Sequence, residues 1–102
     1  MTKWFIIQAE ARLDIEEAAL WYEVEQPGLG VVFLDDLDHL LERINSAPQQ
    51  FPEIDKGIRR GLMHRFPYSV YFTDDPTGVV LLAVLHLKRC PDIWKSRRKP
   101  EV

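Results

Sequence analysis

Positions 26–30 read QPGLG and separate two stretches of helical periodicity. Pro27 disfavours helical backbone at the residue before it and has no amide hydrogen to donate, while Gly28 and Gly30 tolerate positive φ. Upstream, Ala11, Ile15, Ala18, Ala19 and Tyr22 fall on one helical stripe, with Glu10, Asp14, Glu16, Glu17 and Glu23 mostly away from it. Downstream, from about Leu29 to Ser46, Phe33, Leu37, Leu40, Leu41 and Ile44 form a second stripe opposite Asp35, Asp36, Asp38 and Glu42. So short a connection predicts an antiparallel helical hairpin. Pro48 and Pro52, in APQQFPEID, end the second helix.

The flanking segments carry strand signals. KWFIIQ, residues 3–8, is aromatic and β-branched with apolar residues on both alternating faces, which predicts a strand buried on both sides. After Gly57 come IRRGLMHRF, the turn or bulge FPY, the strand YSVYFTD, the hairpin loop DDPTG and the last strand VVLLAVLHL. That last strand is apolar on both faces and belongs in the centre of the sheet. The expected architecture is α+β, in the order β-α-α-β-β-β. The helical hairpin packs on a mostly antiparallel four-stranded sheet within a single domain, 1–102, and residues 91–102 form a basic tail.

Charge divides the chain. Residues 1–57 carry four Lys/Arg against twelve Asp/Glu, net −8, and residues 58–102 carry nine against four, net +5. A basic surface on an acidic body can attract an anionic partner through its local field. The longest apolar run, VVLLAVL, falls far short of the roughly 20 residues needed to cross a bilayer. The opening MTKWFIIQAEARLD lacks the apolar stretch and cleavage site of a signal peptide. With Cys90 as its one cysteine, the chain is expected in the cytoplasm, without membrane attachment.

Few chemistries fit. No HExxH, CxxC or paired-histidine spacing points to a metal, and GLG lacks both the preceding strand and the remaining glycines of a nucleotide loop. Neither a metal nor a cofactor is expected. Cys90 lies near Lys88 and Arg89, which would favour thiolate, but no base accompanies it. Metal-free RNA cleavage needs a group to take the 2′-hydroxyl proton, cations for the phosphorane and an acid for the leaving oxygen. His86 or His64 could move protons, Arg59, Arg60, Arg65, Lys88 and Arg89 could neutralise phosphate, and Tyr68 or Tyr71 could stack on a base. A solvated basic sheet edge accounts for the same residues. Trp21, Tyr22 and Trp4 are assigned to core packing, and Trp94 to a tail anchor.

Taken in order, AEARLDIEEAALWYEVEQPGLGVVFLDDLDHLLERINSAPQQFPEI, IRRGLMHRFPYSVYF and VVLLAVLHLKRCPDIW resemble the RelE/ParE superfamily of type II toxin–antitoxin toxins, particularly its plasmid-stabilisation branch. The resemblance covers about residues 4–95. It implies a toxin that inhibits growth when free and is neutralised by a cognate antitoxin wrapped over its active or target-binding surface. RelE-like members cleave mRNA in the ribosomal A site, and ParE-like members poison DNA gyrase. If this chain is an endoribonuclease, the resemblance assigns catalysis to His86, Arg89 and Arg65, and target or nucleic-acid contacts to Arg59, Arg60, Lys88 and Tyr71. The pI near 5.5 works against tight binding to ribosomal RNA, which gains from dense positive charge. The pattern WYE, PGLG, FL is also closer to ParE, so the gyrase-directed reading is favoured. The alternatives are the ribosome-dependent mRNA endoribonuclease and a toxin-derived binding protein without activity.

Overall fold

A computed structural model describes residues 4–88 and Arg97. Strand β1 (Trp4–Ile7) leads into helix α1 (Ala9–Glu25), which is followed by helix α2 (Leu29–Ser46) and a 3-10 turn at Pro48–Gln50. Four more strands follow: β2 (Glu53–Asp55), β3 (Ile58–Leu62), β4 (Tyr68–Asp75) and β5 (Gly78–His86). They form one sheet in the order β1-β5-β4-β3-β2. β1 runs parallel to β5, and every other pairing is antiparallel. β5 is internal, as its apolar character requires. None of the helices is long and apolar enough to cross a membrane, among the described residues.

The sheet has five strands, not the expected four. The additional strand, β2, has three residues and all are exposed, so it shows no apolar alternation that a sequence could reveal. It folds back through Lys56 and Gly57 onto β3, placing Glu53 opposite Arg59.

The helices cover one face of the sheet. Phe33, Leu37, Leu40 and Ile44 of α2 join Ala11 and Ala18 of α1, and Val70, Phe72, Val79, Leu81 and Val84 of the sheet, in the main core. Each large apolar side chain buried here contributes about 1.5–3 kcal/mol. β1 is an edge strand, so its two faces differ, contrary to the expectation of burial on both. Phe5 and Ile7 pack on the core, while Trp4 is 68% and Ile6 44% exposed. A β-bulge at Leu82 interrupts the β4–β5 register between Tyr71↔Ala83 and Phe72↔Leu81. On the sheet's other face, Ile58, Tyr71, Leu82, Ala83 and Leu85 form a second buried cluster.

The hairpin closes through Glu23. Gly28, at φ 92°, precedes α2 and offers no side-chain cap. The Glu23 carboxylate fills that role, accepting from Gly28 N–H at 3.0 Å to each oxygen and from Gly30 N–H at 3.1 Å. A carboxylate at a helix N-terminus satisfies orphan amides and meets the positive end of the helix dipole. Gly30 lets the helices touch, since a Cβ there would lie 2.8 Å from the Ala19 carbonyl oxygen. Gly78 has a similar duty at the sheet edge: at φ 147°, its missing Cβ would meet Trp4 O at 2.1 Å.

α1 is built from small residues inside and large ones outside. Ala11 and Ala18 are buried, whereas Leu13, Leu20, Trp21 and Val24 are exposed. Trp21, expected in the core, is 58% exposed. Neighbouring positions on a helix diverge by about 100°, and Tyr22 takes the inward direction. Its ring stacks on Phe33 at 5.5 Å and meets Phe66 edge-on at 4.8 Å, and burial raises its phenol pKa above 10.0.

Candidate functional site

β1 pairs with β5 only as far as Leu81, whose carbonyl accepts from Gln8 N–H as the chain turns into α1. Beyond that point the edge of β5 has no strand neighbour among the described residues, and side chains supply its partners. Asp14 accepts from Val84 N–H at 3.0 Å and forms an ion pair with the Arg97 guanidinium, which also donates to Leu82 O at 3.4 Å. One carboxylate and one guanidinium thus take the place of a strand.

A cleft of about 170 Å³ opens beside this junction, lined by Asp14, Glu17, Ala18 and Trp21 of α1, Tyr68 of β4, and Val84, Leu85 and His86 of β5. The helical residues are spaced i, i+3, i+4 and i+7, the spacing of one helix face. Tyr68 and His86 are register partners, and their rings meet edge-on at 5.2 Å. His86 Nδ1 accepts from Lys88 N–H at 3.1 Å, so in neutral His86 the proton belongs on Nε2. To act as a base through Nδ1, His86 must give up that contact. Glu17 is exposed and forms no ion pair among the described residues.

A second, larger cleft of about 550 Å³ lies along α2, lined by Val32, Asp35, Asp36, His39 and Arg43 together with His64 and Arg65. Asp36 is buried and accepts from Arg65 N–H at 2.9 Å, fixing the segment between β3 and β4. Arg43 lies over the Phe51 ring at 5.3 Å.

The residues singled out from the sequence do not share one site. His86 lines the first cleft, with Lys88 beside it through its backbone amide. Arg65 and His64 line the second. Arg59 donates to Phe51 O at 2.6 Å and lies 3.8 Å from Asp74, tying the 3-10 segment to the sheet. Arg60 stands opposite Tyr71, which is 6% exposed within the second cluster. Arg89, Cys90 and Trp94 lie outside the described residues. No group of three His, Cys, Asp or Glu is placed to hold a metal ion, among the described residues.

Sequence reasoning passed over Asp14, Glu17 and Arg97. The two acids read as part of a solvated helix face, and no local pattern connects either to Arg97. Their i, i+3 spacing, continued to Trp21, was the available signal.

No protein-family model matches the sequence, and no curated protein matches it either. Among solved structures, the chain is similar to a chain described as the chromosomal ParDE TA system from P. aeruginosa. The TM-score is 0.73 at 17% identity, over 82% of this chain and 95% of that one. With its helical hairpin laid on one face of a mixed sheet whose first strand pairs with its last, this chain shares the fold of that ParDE chain.

Proposed function

We propose that this chain is the toxin component of a type II toxin–antitoxin module and that it inhibits growth by binding its target, in the ParE manner on DNA gyrase, rather than by cutting RNA. The observation that carries the choice of mechanism is the make-up of the cleft at His86. Glu17 lines it without an ion-pair partner among the described residues, so a phosphate entering there would meet negative charge, and the Nδ1 lone pair of His86 is already engaged. Among the described residues, Arg65 lines the separate α2 cleft and Arg59 is held by its own carbonyl and carboxylate partners.

The antitoxin has a fitting surface. Leu13, Leu20, Trp21 and Val24 on α1, with Val31 and Leu34 on α2, are exposed and apolar, and β1 is an edge strand. Such features suit an amphipathic helix and an added strand from a partner that folds as it binds.

A second reading, ribosome-dependent mRNA cleavage, draws support from the α2 cleft, where His39, His64, Arg43 and Arg65 are the residue types that the reaction requires. The two readings separate in one experiment. The chain is induced with and without the small gene beside it, and both gyrase–DNA cleavage complexes and mRNA 5′ ends are mapped. Growth arrest with persistent cleavage complexes and intact mRNA is expected. A-site mRNA cleavage would replace this reading with the nuclease, and unimpaired growth would leave the inactive binding protein.

A further inference from the structure

The cleft beside His86 differs from a general ligand pocket in size and lining. At about 170 Å³ it is smaller than the roughly 300–1,000 Å³ typical of small-molecule sites, and it suits a single side chain. Among the described residues, three aromatic rings line it: Trp21, Tyr68 and His86. Trp21 is held edge-on to Tyr22 at 5.1 Å, and Tyr68 edge-on to His86 at 5.2 Å, so their orientations are set by packing although Trp21 is largely exposed. Glu17 adds a carboxylate without an ion-pair partner among the described residues.

Aromatic faces combined with a free carboxylate attract cations and repel phosphate. The protein supplies its own example at the same wall, where the Arg97 guanidinium sits on Asp14. We infer that this cleft receives an arginine side chain from a peptide partner, its guanidinium lying against Trp21 and paired with Glu17. Arginine is preferred over lysine because a planar guanidinium stacks on rings and forks onto a carboxylate. Asp14, saturated by Val84 N–H and Arg97, forms the rear wall and does not pair with the incoming group. The inference stands on the cleft alone and does not depend on the toxin reading.

The test is an NMR titration of the full chain with the capped tripeptide acetyl-Gly-Arg-Gly-amide, following the Trp21 indole N–H and the His86 ring protons. Parallel titrations use the tripeptides with lysine or glutamine at the centre, and inorganic phosphate. Saturable shifts at both reporters are expected with arginine, weaker binding with lysine and none with glutamine. Glu17→Gln should weaken the arginine complex about five- to tenfold, in line with loss of a charge-assisted contact. Trp21→Ala, at an exposed position whose fold is checked by circular dichroism, should also weaken it. Equal shifts with glutamine, shifts spread over Glu16, Glu23 and Glu25 without saturation, no shift at all, or affinity unchanged in Glu17→Gln would each overturn the inference. A saturable response to phosphate at Trp21 and His86 would overturn it too, and would return the cleft to nucleic acid.

Discussion

Glu23→Ala offers the most direct test of how the helical hairpin is held. The substitution removes the acceptor for Gly28 N–H and Gly30 N–H and leaves both at the start of α2 without a side-chain partner. Loss of an N-terminal cap costs about 0.5–2 kcal/mol. Loss of negative charge at the positive end of the helix adds about 0.3–1 kcal/mol before solvent screening. Glu23 is exposed, which moves the total towards the lower half, about 1–2 kcal/mol. For a domain of this size that corresponds to a fall in Tm of about 5–10 °C. Glu23→Gln keeps one acceptor oxygen and should lose roughly half as much. Glu25→Ala, two residues along and exposed, should stay within about 0.5 kcal/mol of the parent. Thermal unfolding followed by circular dichroism, at low salt and in 1 M salt, measures all three, and only the charge-dependent part should shrink with salt. If Glu23→Ala unfolds with the parent, or if Glu25→Ala costs as much, the carboxylate does not cap α2 and the account of the PGLG turn is mistaken.

Four further outcomes follow from the structure. Gly78→Ala should destabilise by at least about 2 kcal/mol, because its methyl meets Trp4 backbone in the β1–β5 pair; hydrogen exchange should show β1 amides losing protection first. Ser69→Ala should raise stability by about 1 kcal/mol in urea titration, since the buried Ser69 hydroxyl finds no hydrogen-bond partner among the described residues. The carboxyl of Asp75 is held below its usual 3.8 mainly by the Thr77 hydroxyl and amide. Its contribution is therefore present above the unfolded pKa and lost as pH falls through the lower folded value, so Asp75→Asn should flatten stability against pH on the acid side. Leu20→Asp, on the exposed stripe of α1, should leave stability within about 0.5 kcal/mol of the parent while weakening capture of the proposed antitoxin at least tenfold by calorimetry.

What could be read from the sequence tracks the reach of each signal. Both helices and their junction were legible because 3.6-residue periodicity and the PGLG break are local. β2 was not, since three exposed residues carry no alternation and its place depends on β3. The sidedness of β1 depended on its becoming an edge strand, a property of sheet order rather than of KWFIIQ. Adjacent Trp21 and Tyr22 were both assigned inward, though a helix can turn only one of them to the sheet. At the site, His86 stood out by type, whereas Asp14 and Glu17 acquired meaning only where β1 ends and leaves β5 open. Arg97, 83 residues along the chain from Asp14, was beyond any local pattern.

The bulge at Leu82 acts as a phase shift in β5. Val79 and Leu81 face the helices in odd step, yet past the bulge it is even-numbered Val84 and His86 that share the helix side. Deleting residue 82 would restore a strict two-residue alternation and leave Val84 and His86 on the helix side, still opposite Val70 and Tyr68, because Leu82 and Ala83 both face the second cluster. The bulge therefore absorbs one surplus residue without turning the residues beyond it, and a relative that lacked it would present the same cleft lining one position earlier in its numbering.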